Sequence, residues 1–301
     1  MTRIAILRCA KLPSFVTWGP PNLDELFEED NLLLHGFEAQ GVEAQPVVWN
    51  DPGIDWDQFD IALIRSTWDY LDEREHFMQV LSQIEASSCR LFNPLATVRW
   101  NIDKRYLFDL EKWGVPMIPT YPAWQVNIGE LHKMFVEKHW QSVILKPTIG
   151  LGGSHSYRVS LHELDHTLRT LRASHPGREY LIQPFVERIV TEGEWSFVYF
   201  KRQLSHVLLK KPAHGDYRAQ GIYGGTIQSV EPRADDRLQA EAVIAKLPFD
   251  ILYARLDFVR MEDRLAVIEI ELIEPILSFN LVPDSIARLV KAVKVKLETK
   301  P

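Results

Sequence analysis

The sequence predicts a chain of mixed α/β and α+β class: a small open α/β domain followed by two strand-bearing units. Three observations predict it. Over residues 1–95, strand-like and helix-like segments follow one another at the spacing of an open α/β sheet. Glycines 150, 152 and 153 lie between two strand-like runs. Near the C-terminus, the runs Leu252–Val259 and Leu265–Leu272 flank the polar connection Met261-Glu262-Asp263-Arg264, the sequence shape of a hairpin. A chain of 301 residues suits two or three packed units, with expected boundaries at 1–97, 98–186 and 187–301.

The first unit begins with a short buried strand at 3–7. The tract Lys11–Asn22 holds Pro13, Gly19, Pro20 and Pro21, which forbid regular structure. Leu23–Gln40 has a helical pattern that stops at Gly41, a natural C-cap. Strands follow at Ala44–Trp49 and Asp60–Arg65, then a helix at Asp72–Ser87 and a strand at Arg90–Phe92. Beyond it, Asn101–Lys112 reads as one helix, and Pro116, Pro119 and Pro122 make an extended connector. The second unit has a helix at Ile128–His139, a strand at Gln141–Lys146, the glycine loop, a strand starting at Tyr157, a helix at Leu161–Ala173 and a strand at Glu179–Gln183. In the last unit Glu194–Phe200 and Gln203–Leu209 flank Lys201-Arg202 as a hairpin, and Lys210–Gly225 is irregular. A strand at Thr226–Val230, a helix at Arg233–Leu247, the acidic hairpin and a helix at Asp284–Leu297 close the chain.

Composition narrows the function classes. The apolar fraction of 46% and charged fraction of 25% are ordinary for a soluble globular protein. The formal charge is −7 and no basic tract occurs, which argues against nucleic acid and anionic membrane as partners. Two cysteines, Cys9 and Cys89, without a CxxC, fit a reducing compartment and offer no zinc site. The opening MTRIAILRCA is too short and too charged for a signal peptide, and no run of about 18 apolar residues is present. The expectation is a cytoplasmic protein, monomeric or homodimeric. No GxGxxG follows the first strand, which argues against a dinucleotide fingerprint.

The chemistry-bearing residues begin in the acidic hairpin. Strand side chains alternate, so Glu269 and Glu271 share a face, and pairing about residues 261–264 sets Asp257 roughly opposite Glu269. Three carboxylates on one patch repel one another and suit a hard divalent ion such as Mg²⁺; a solvated acidic strand face is the bland alternative. Gly150, Gly152 and Gly153 allow the tight backbone and exposed amides that suit phosphate oxygens, or else form a flexible hairpin tip. Lys146 ends the strand before that loop, in reach of a phosphate, whereas Lys104 on its own reads as a solvated helix position. Lys210, Lys211 and Arg218 bring positive charge beside the carboxylates, as phosphoryl transfer needs. Arg8 and Arg65 each follow an apolar strand and are receivers for a substrate carboxylate or partners of a neighbouring acid such as Asp69. Trp68 and Tyr70 stand beside them.

In chain order, Lys104, Leu145-Lys146-Pro147, the glycine loop 150–153, Gln183-Pro184-Phe185-Val186, Asp257 and Glu269-Ile270-Glu271 resemble the ATP-grasp superfamily. The resemblance implies a nucleotide clasped between two subdomains, with ATP and two Mg²⁺ ions as cofactors. It implies that Lys104 and Lys146, with Gly150, Gly152 and Gly153, contact the phosphates, that Gln183, Phe185 and Val186 read adenine, and that Glu187 or Glu192 meets the ribose. Asp257, Glu269 and Glu271 become the metal ligands. Glutathione synthetases have Glu-x-Asn where this chain has Glu269-Ile270-Glu271, so close identity with them is in doubt. A narrower likeness, in Arg65-Ser66-Thr67-Trp68-Asp69-Tyr70, Asn93-Pro94, Arg99-Trp100-Asn101, Asp103-Lys104-Arg105-Tyr106-Leu107, Gly193-Glu194-Trp195-Ser196, Lys211-Pro212 with Gly215-Asp216, and Glu271-Leu272-Ile273-Glu274-Pro275, is to the group that includes the O-ureido-D-serine cyclo-ligase of D-cycloserine biosynthesis.

That likeness implies a carboxylate–amine ligase working through an acyl phosphate on a small amino-acid-like substrate, with Arg218 and Lys210 as catalytic cations. An intramolecular cyclo-ligase is the alternative, and a nucleotide-binding protein without catalysis a further one. Arg8, Arg65, Trp68, Asp69, Tyr70 and Glu274 are the expected substrate contacts, with the arginines on the carboxylate and Glu274 on the amine.

Overall fold

In the computed structural model, residues 2–11, 27–125, 127–219 and 221–298 are described. Past Lys11, the Pro-rich tract lies outside them, as do the first four residues of the expected Leu23–Gln40 helix. The first sheet is parallel, with β1 (Arg3–Arg8), β2 (Glu43–Val48), β3 (Ile61–Ser66) and β4 (Arg90–Phe92) in the order β2-β1-β3-β4. Parallel strands buried on both faces need apolar residues at successive positions, and β1 and β3 supply them. Ile4, Ile6, Ile61 and Leu63 pack in one cluster with α1 (Glu28–Glu38) and the C-terminal α9 (Asp284–Glu298). Ala5, Leu7, Ala62 and Ile64 pack in another with α2 (Arg74–Ala86). Gly41 follows α1 at φ 67° and its N–H bonds back to Glu38 O, as a glycine C-cap does.

The expected helix over 101–112 is two helices, α3 (Leu95–Asn101) and α4 (Tyr106–Lys112). The break has a local cause. The Asp103 carboxylate accepts from Arg105 N, the bond of an Asx turn, and Lys104 N–H donates to Thr148 O at 2.6 Å. Lys104 thereby faces the glycine loop instead of solvent.

The second sheet holds β5 (Tyr121–Pro122), β6 (Ser142–Pro147), β7 (Tyr157–Ser160) and β8 (Tyr180–Pro184) in the antiparallel order β5-β8-β6-β7. Strand β5 lies in the stretch expected to be connector. Val143, Leu145 and Ile182 pack with Leu131 and Phe135 of α5 (Ile128–Glu137) and Leu168 of α6 (Leu164–Ser174). By alternation Ile144, Lys146 and Gln183 are left on the opposite face.

The third sheet is β11-β10-β9-β12-β13, all antiparallel: β9 (Glu194–Phe200), β10 (Gln203–Lys211), β11 (Thr226–Ser229), β12 (Tyr253–Met261) and β13 (Arg264–Glu271). The short helix α7 (Arg188–Thr191) leads into it. Lys201 and Arg202 form the β9–β10 turn, both at positive φ (47° and 63°), the handedness of tight hairpin turns. One face of the sheet packs Phe197, Tyr199, Leu256 and Phe258 against Leu107 and Leu110 of α4 and Val243 and Ile244 of α8 (Ala234–Lys246). The other face is divided. Val198, Phe200, Leu208 and Tyr253 pack on the first sheet, while residues two further along the same strands are polar: Ser196, Lys210 and Arg255. Two buried asparagines tie the layers together. Asn93 donates to Tyr253 O and Leu272 O, and Asn101 donates to Ile270 O. No helix among the described residues is long and apolar enough to cross a membrane.

Beneath this junction, His206 is 8% exposed, with Nε2 at 2.8 Å from Leu277 O and Nδ1 at 2.9 Å from Ser205 Oγ. Both bonds are satisfied by a neutral ring whose Nε2–H donates. Burial pushes its pKa down from about 6.5 to about 4. A depressed folded value means that the unfolded chain takes the proton first as pH falls. His206 therefore contributes stability that is present above pH 6.5 and lost on descent toward pH 4, at most roughly 3 kcal/mol. Urea unfolding of the protein and His206→Gln at pH 7.5 and pH 4.5 should show a smaller loss on acidification in the variant. Equal losses would mean that His206 does not carry this dependence.

Candidate active site

A cleft of about 670 Å³ runs between the second and third sheets and reaches the C-terminal end of β3 in the first. Its walls gather residues from every part of the chain: Lys104, Lys146, the loop Gly150–Ser154, Gln183, Phe185, Val186, Arg255, Glu269 and Glu271, with Arg65, Trp68 and Glu274 at one end.

The carboxylate wall follows from strand register. Asp257 pairs with Glu269 and Arg255 with Glu271 across β12–β13, the pairing that alternation predicts for the two acids. The hairpin has a bulge just after Asp257, where Phe258 pairs with Val267. Each acid has a cation. Glu269 is 3.0 Å from Lys104 Nζ. Arg255 bridges Asp257, at 3.0 Å from each of its oxygens, and Glu271, at 2.5 Å. Asp257 also accepts from Ser196 Oγ and lies 3.5 Å from Lys210 Nζ. These cations enclose it, so that it sits behind the cleft wall at 4% exposure. Lys210 makes its shorter bond, 2.9 Å, to Glu194 directly across β9–β10.

These surroundings set the protonation states. Burial opposes charge on Asp257, yet Arg255 and Lys210 hold its carboxyl well below the usual range. Burial likewise opposes charge on Glu269, but Lys104 and Lys146 outweigh it and the pKa falls. Glu271 goes the other way. Burial, with Asp257 and Glu269 nearby, pushes it up to about 7 despite Arg255. Burial lowers Lys146 to about 8; its ammonium donates to Ile268 O at 3.1 Å. The donor set is all oxygen and anionic, which fits a hard divalent cation in kind. In position it is not a finished metal cage: among the described residues no three His, Cys, Asp or Glu side chains converge closely enough to hold an ion. An ion entering here competes with Lys104 for Glu269 Oε1 and with Arg255 for Glu271 Oε1.

The glycine loop folds over the cleft and is held from both sides. Gly152 and Gly153 have φ of 57° and 70°, left-handed conformations that glycine adopts without a Cβ penalty. Lys104 Nζ donates to Gly150 O at 2.6 Å. From the segment after β10, Tyr217 OH donates to Ser156 O and Tyr223 OH to Gly152 O. Arg218 is paired with Asp216, its guanidinium 3.5 Å from the centre of the Tyr223 ring.

At the other end, Arg65 is 3% exposed and donates NH2 to Pro275 O at 2.9 Å and to Glu29 at 3.3 Å, while its Nε and NH1 have no hydrogen-bond partner among the described residues. Glu274 accepts from Tyr70 OH at 3.0 Å, and its Oε2 has no hydrogen-bond partner among the described residues; burial raises its pKa to about 8.

Besides Asp257, five expected contacts stand apart from the cleft wall. Tyr70 is 2% exposed and lies behind Glu274, to which its OH donates. The Arg8 guanidinium lies 4.8 Å from the Phe27 ring centre. Asp69 is fully buried and accepts from Trp49 Nε1, which turns it into the first domain's core. Glu187 is largely exposed and paired with Arg158. Glu192 is drawn to Arg260 and Trp195 Nε1 by 2.8 Å bonds. Conversely, Arg255, Glu194 and Ser196 were not singled out from the sequence. Arg255 carries a usable signal, since it lies two residues before Asp257 and so shares its face.

A family model described as the N-terminal domain of D-cycloserine synthetase DcsG matches residues 4–93. Over 288 residues the chain is 28% identical to the cycloserine biosynthesis protein DcsG of Streptomyces lavendulae, covering 88% of this chain and 93% of that protein. A crystal structure of D-cycloserine synthetase DcsG superposes with a TM-score of 0.82 at 25% identity, over 98% of this chain and 99% of the other. The ATP-grasp ligase PsnB, in a complex with a minimal precursor, Mg and ADP, superposes with a TM-score of 0.64 at 15% identity over 98% of each chain.

Proposed function

We propose that this chain, which has the ATP-grasp fold, is an ATP-dependent carboxylate–amine ligase acting through an acyl phosphate on a small amino-acid-like substrate. The observation that carries the reading is that one cleft joins two kinds of surface. The Lys104, Lys146 and glycine-loop wall suits a triphosphate. The Arg65 and Glu274 end brings together a guanidinium whose Nε and NH1 and a carboxyl whose Oε2 have no hydrogen bond to a described residue, which suits a zwitterion. Phe185, Val186 and Gln183 form the side for the nucleotide base.

In this reading the substrate carboxylate oxygen attacks the γ-phosphorus and ADP departs with the electron pair of the broken P–O bond. A nitrogen nucleophile then adds to the acyl carbon, loses a proton and expels inorganic phosphate. Lys104 and Lys146 hold phosphate oxygens. Arg255, with Lys210 and Arg218, supplies positive charge for oxyanions that develop. Glu269 and Glu271, with Asp257 behind them, would hold two Mg²⁺ ions, whose chemistry is to neutralise phosphate charge. Trp68 narrows the substrate end and excludes water that would hydrolyse an acyl phosphate, while Tyr70, behind Glu274, holds that carboxyl in place.

The likeness to DcsG favours a second reading, in which the nucleophile belongs to the same substrate and a ring closes. One experiment tests both: ADP release with amino acids, O-ureido-serine and simple amines, with product masses for every hit. ADP release with a single substrate and a product mass consistent with ring closure (substrate minus water, less the carbamoyl group as HNCO where a ureido substrate sheds it) favours ring closure. Strict need for a separate amine, with a product of acid plus amine minus water, favours the two-substrate ligase. ATP binding without ADP release under any of these conditions would overturn both.

A further inference from the structure

We propose that Thr120 sets the choice of nucleobase by fixing which end of the Gln183 amide faces the cleft. This rests on the reading of the cleft as a nucleotide site and adds a specificity-determining position to it.

The argument begins with register. Tyr121 pairs with Ile182 and Pro122 with Leu181 across the antiparallel β5–β8 pair. Continued by one residue, this register sets Thr120 opposite Gln183, just as Ile144 is opposite Gln183 on the other side. Both polar residues are buried, Thr120 at 8% and Gln183 at 3% exposure.

The hydroxyl of a threonine has one proton. That of Thr120 goes to Ile118 O at 2.8 Å, and no other described donor bonds that carbonyl. If the hydroxyl turned its proton to Gln183 instead, a buried carbonyl would lose its partner, which is costly. The Thr120 oxygen is therefore left to accept, and it accepts from Gln183 Nε2 at 2.9 Å. An amide is otherwise free to flip, because its oxygen and nitrogen ends have nearly the same shape. Here the NH₂ end is bound to Thr120, and Oε1, which takes no hydrogen bond from any described residue, is left for the cleft that Gln183 lines.

A fixed acceptor recognises a donor. An exocyclic amino group on a base satisfies Oε1, whereas a keto oxygen at the same position meets it lone pair to lone pair. Sites built around a buried polar group reject analogues that leave it unpaired. The relay from Ile118 O through Thr120 to Gln183 thus selects an amino-bearing base, adenine or cytosine, over its keto counterpart.

Binding to the 301-residue chain with Mg²⁺ tests this through two matched pairs, ATP against ITP and CTP against UTP, which differ by an amino-to-keto exchange and the ring N–H that accompanies it. The wild type should favour the amino member by about tenfold or more in whichever pair binds. Thr120→Val and Thr120→Ala, which remove the oxygen without and with loss of volume respectively, should cut that ratio to about threefold or less by freeing the amide to flip. Thr120→Ser should keep it. Gln183→Glu added to Thr120→Val should restore it, since a carboxylate offers an acceptor in either orientation. Unchanged selectivity in the folded Thr120 variants, or no preference in the wild type, overturns the relay. Failure of all four nucleotides to bind the wild type would overturn the nucleotide reading itself.

Discussion

Replacing Arg255 by Ala is expected to destabilise the protein by about 3–5 kcal/mol and to lower ADP release by at least about a hundredfold. Arg255 is 7% exposed and joins Asp257, Glu271 and Ile276 O in one set of bonds. Its removal leaves Asp257 with Ser196 and Lys210 at 3.5 Å, and leaves Glu271 without a cationic hydrogen bond from any described residue. Unpaired buried charge is far more costly than a lost surface pair. Arg255→Lys should recover part of the stability but little turnover, because an ammonium lacks the fork that spans two carboxylates. Urea unfolding with parallel ADP assays checks both. The stability deficit of Arg255→Ala should also be smaller at pH 6 than at pH 8. Glu271 already titrates near pH 7 with Arg255 present, so it is neutral at pH 6 once that cation is gone. A deficit below about 1 kcal/mol at pH 8 would show that the bridge is not holding these strands.

Glu269→Gln separates chemistry from folding. The side chain is 27% exposed, faces the cleft and has one cationic bond, to Lys104. Its stability should change by no more than about 1 kcal/mol, while turnover falls by about 10²–10³-fold and the Mg²⁺ needed for half-maximal activity rises. Near-normal turnover at ordinary Mg²⁺ would remove Glu269 from the ligand set. The contrast between the two variants, one losing fold and rate and the other mainly rate, follows from burial: Arg255 neutralises charge inside the sheet, and Glu269 presents it to the cleft.

The sequence by itself determined what strand periodicity and turn chemistry encode. Alternation in Leu265–Leu272 was enough to put Glu269 and Glu271 on one face and to pair Asp257 with Glu269. Apolar runs at 3–7 and 60–65 were enough for strands of an open α/β domain; the fold adds that they pair in parallel and are packed on both faces. Tertiary structure decided the rest, because a local pattern carries no information about partners distant in the chain. Lys104 has no distinctive local context, yet a broken helix brings it to Gly150 O and Glu269. Asp69 has the look of a cleft residue in Ser66-Thr67-Trp68-Asp69-Tyr70, but Trp49 Nε1, twenty residues upstream, draws it into the core. Arg8 was expected at a carboxylate and stands over Phe27. Thr120, in a proline-rich stretch that predicts only a connector, becomes a cross-strand neighbour of Gln183 once β5 pairs with β8. Which face a side chain takes is a property of a few neighbouring residues. Which charge or donor it meets there depends on long-range packing of the sheets, and only the folded chain brings those groups within hydrogen-bond reach.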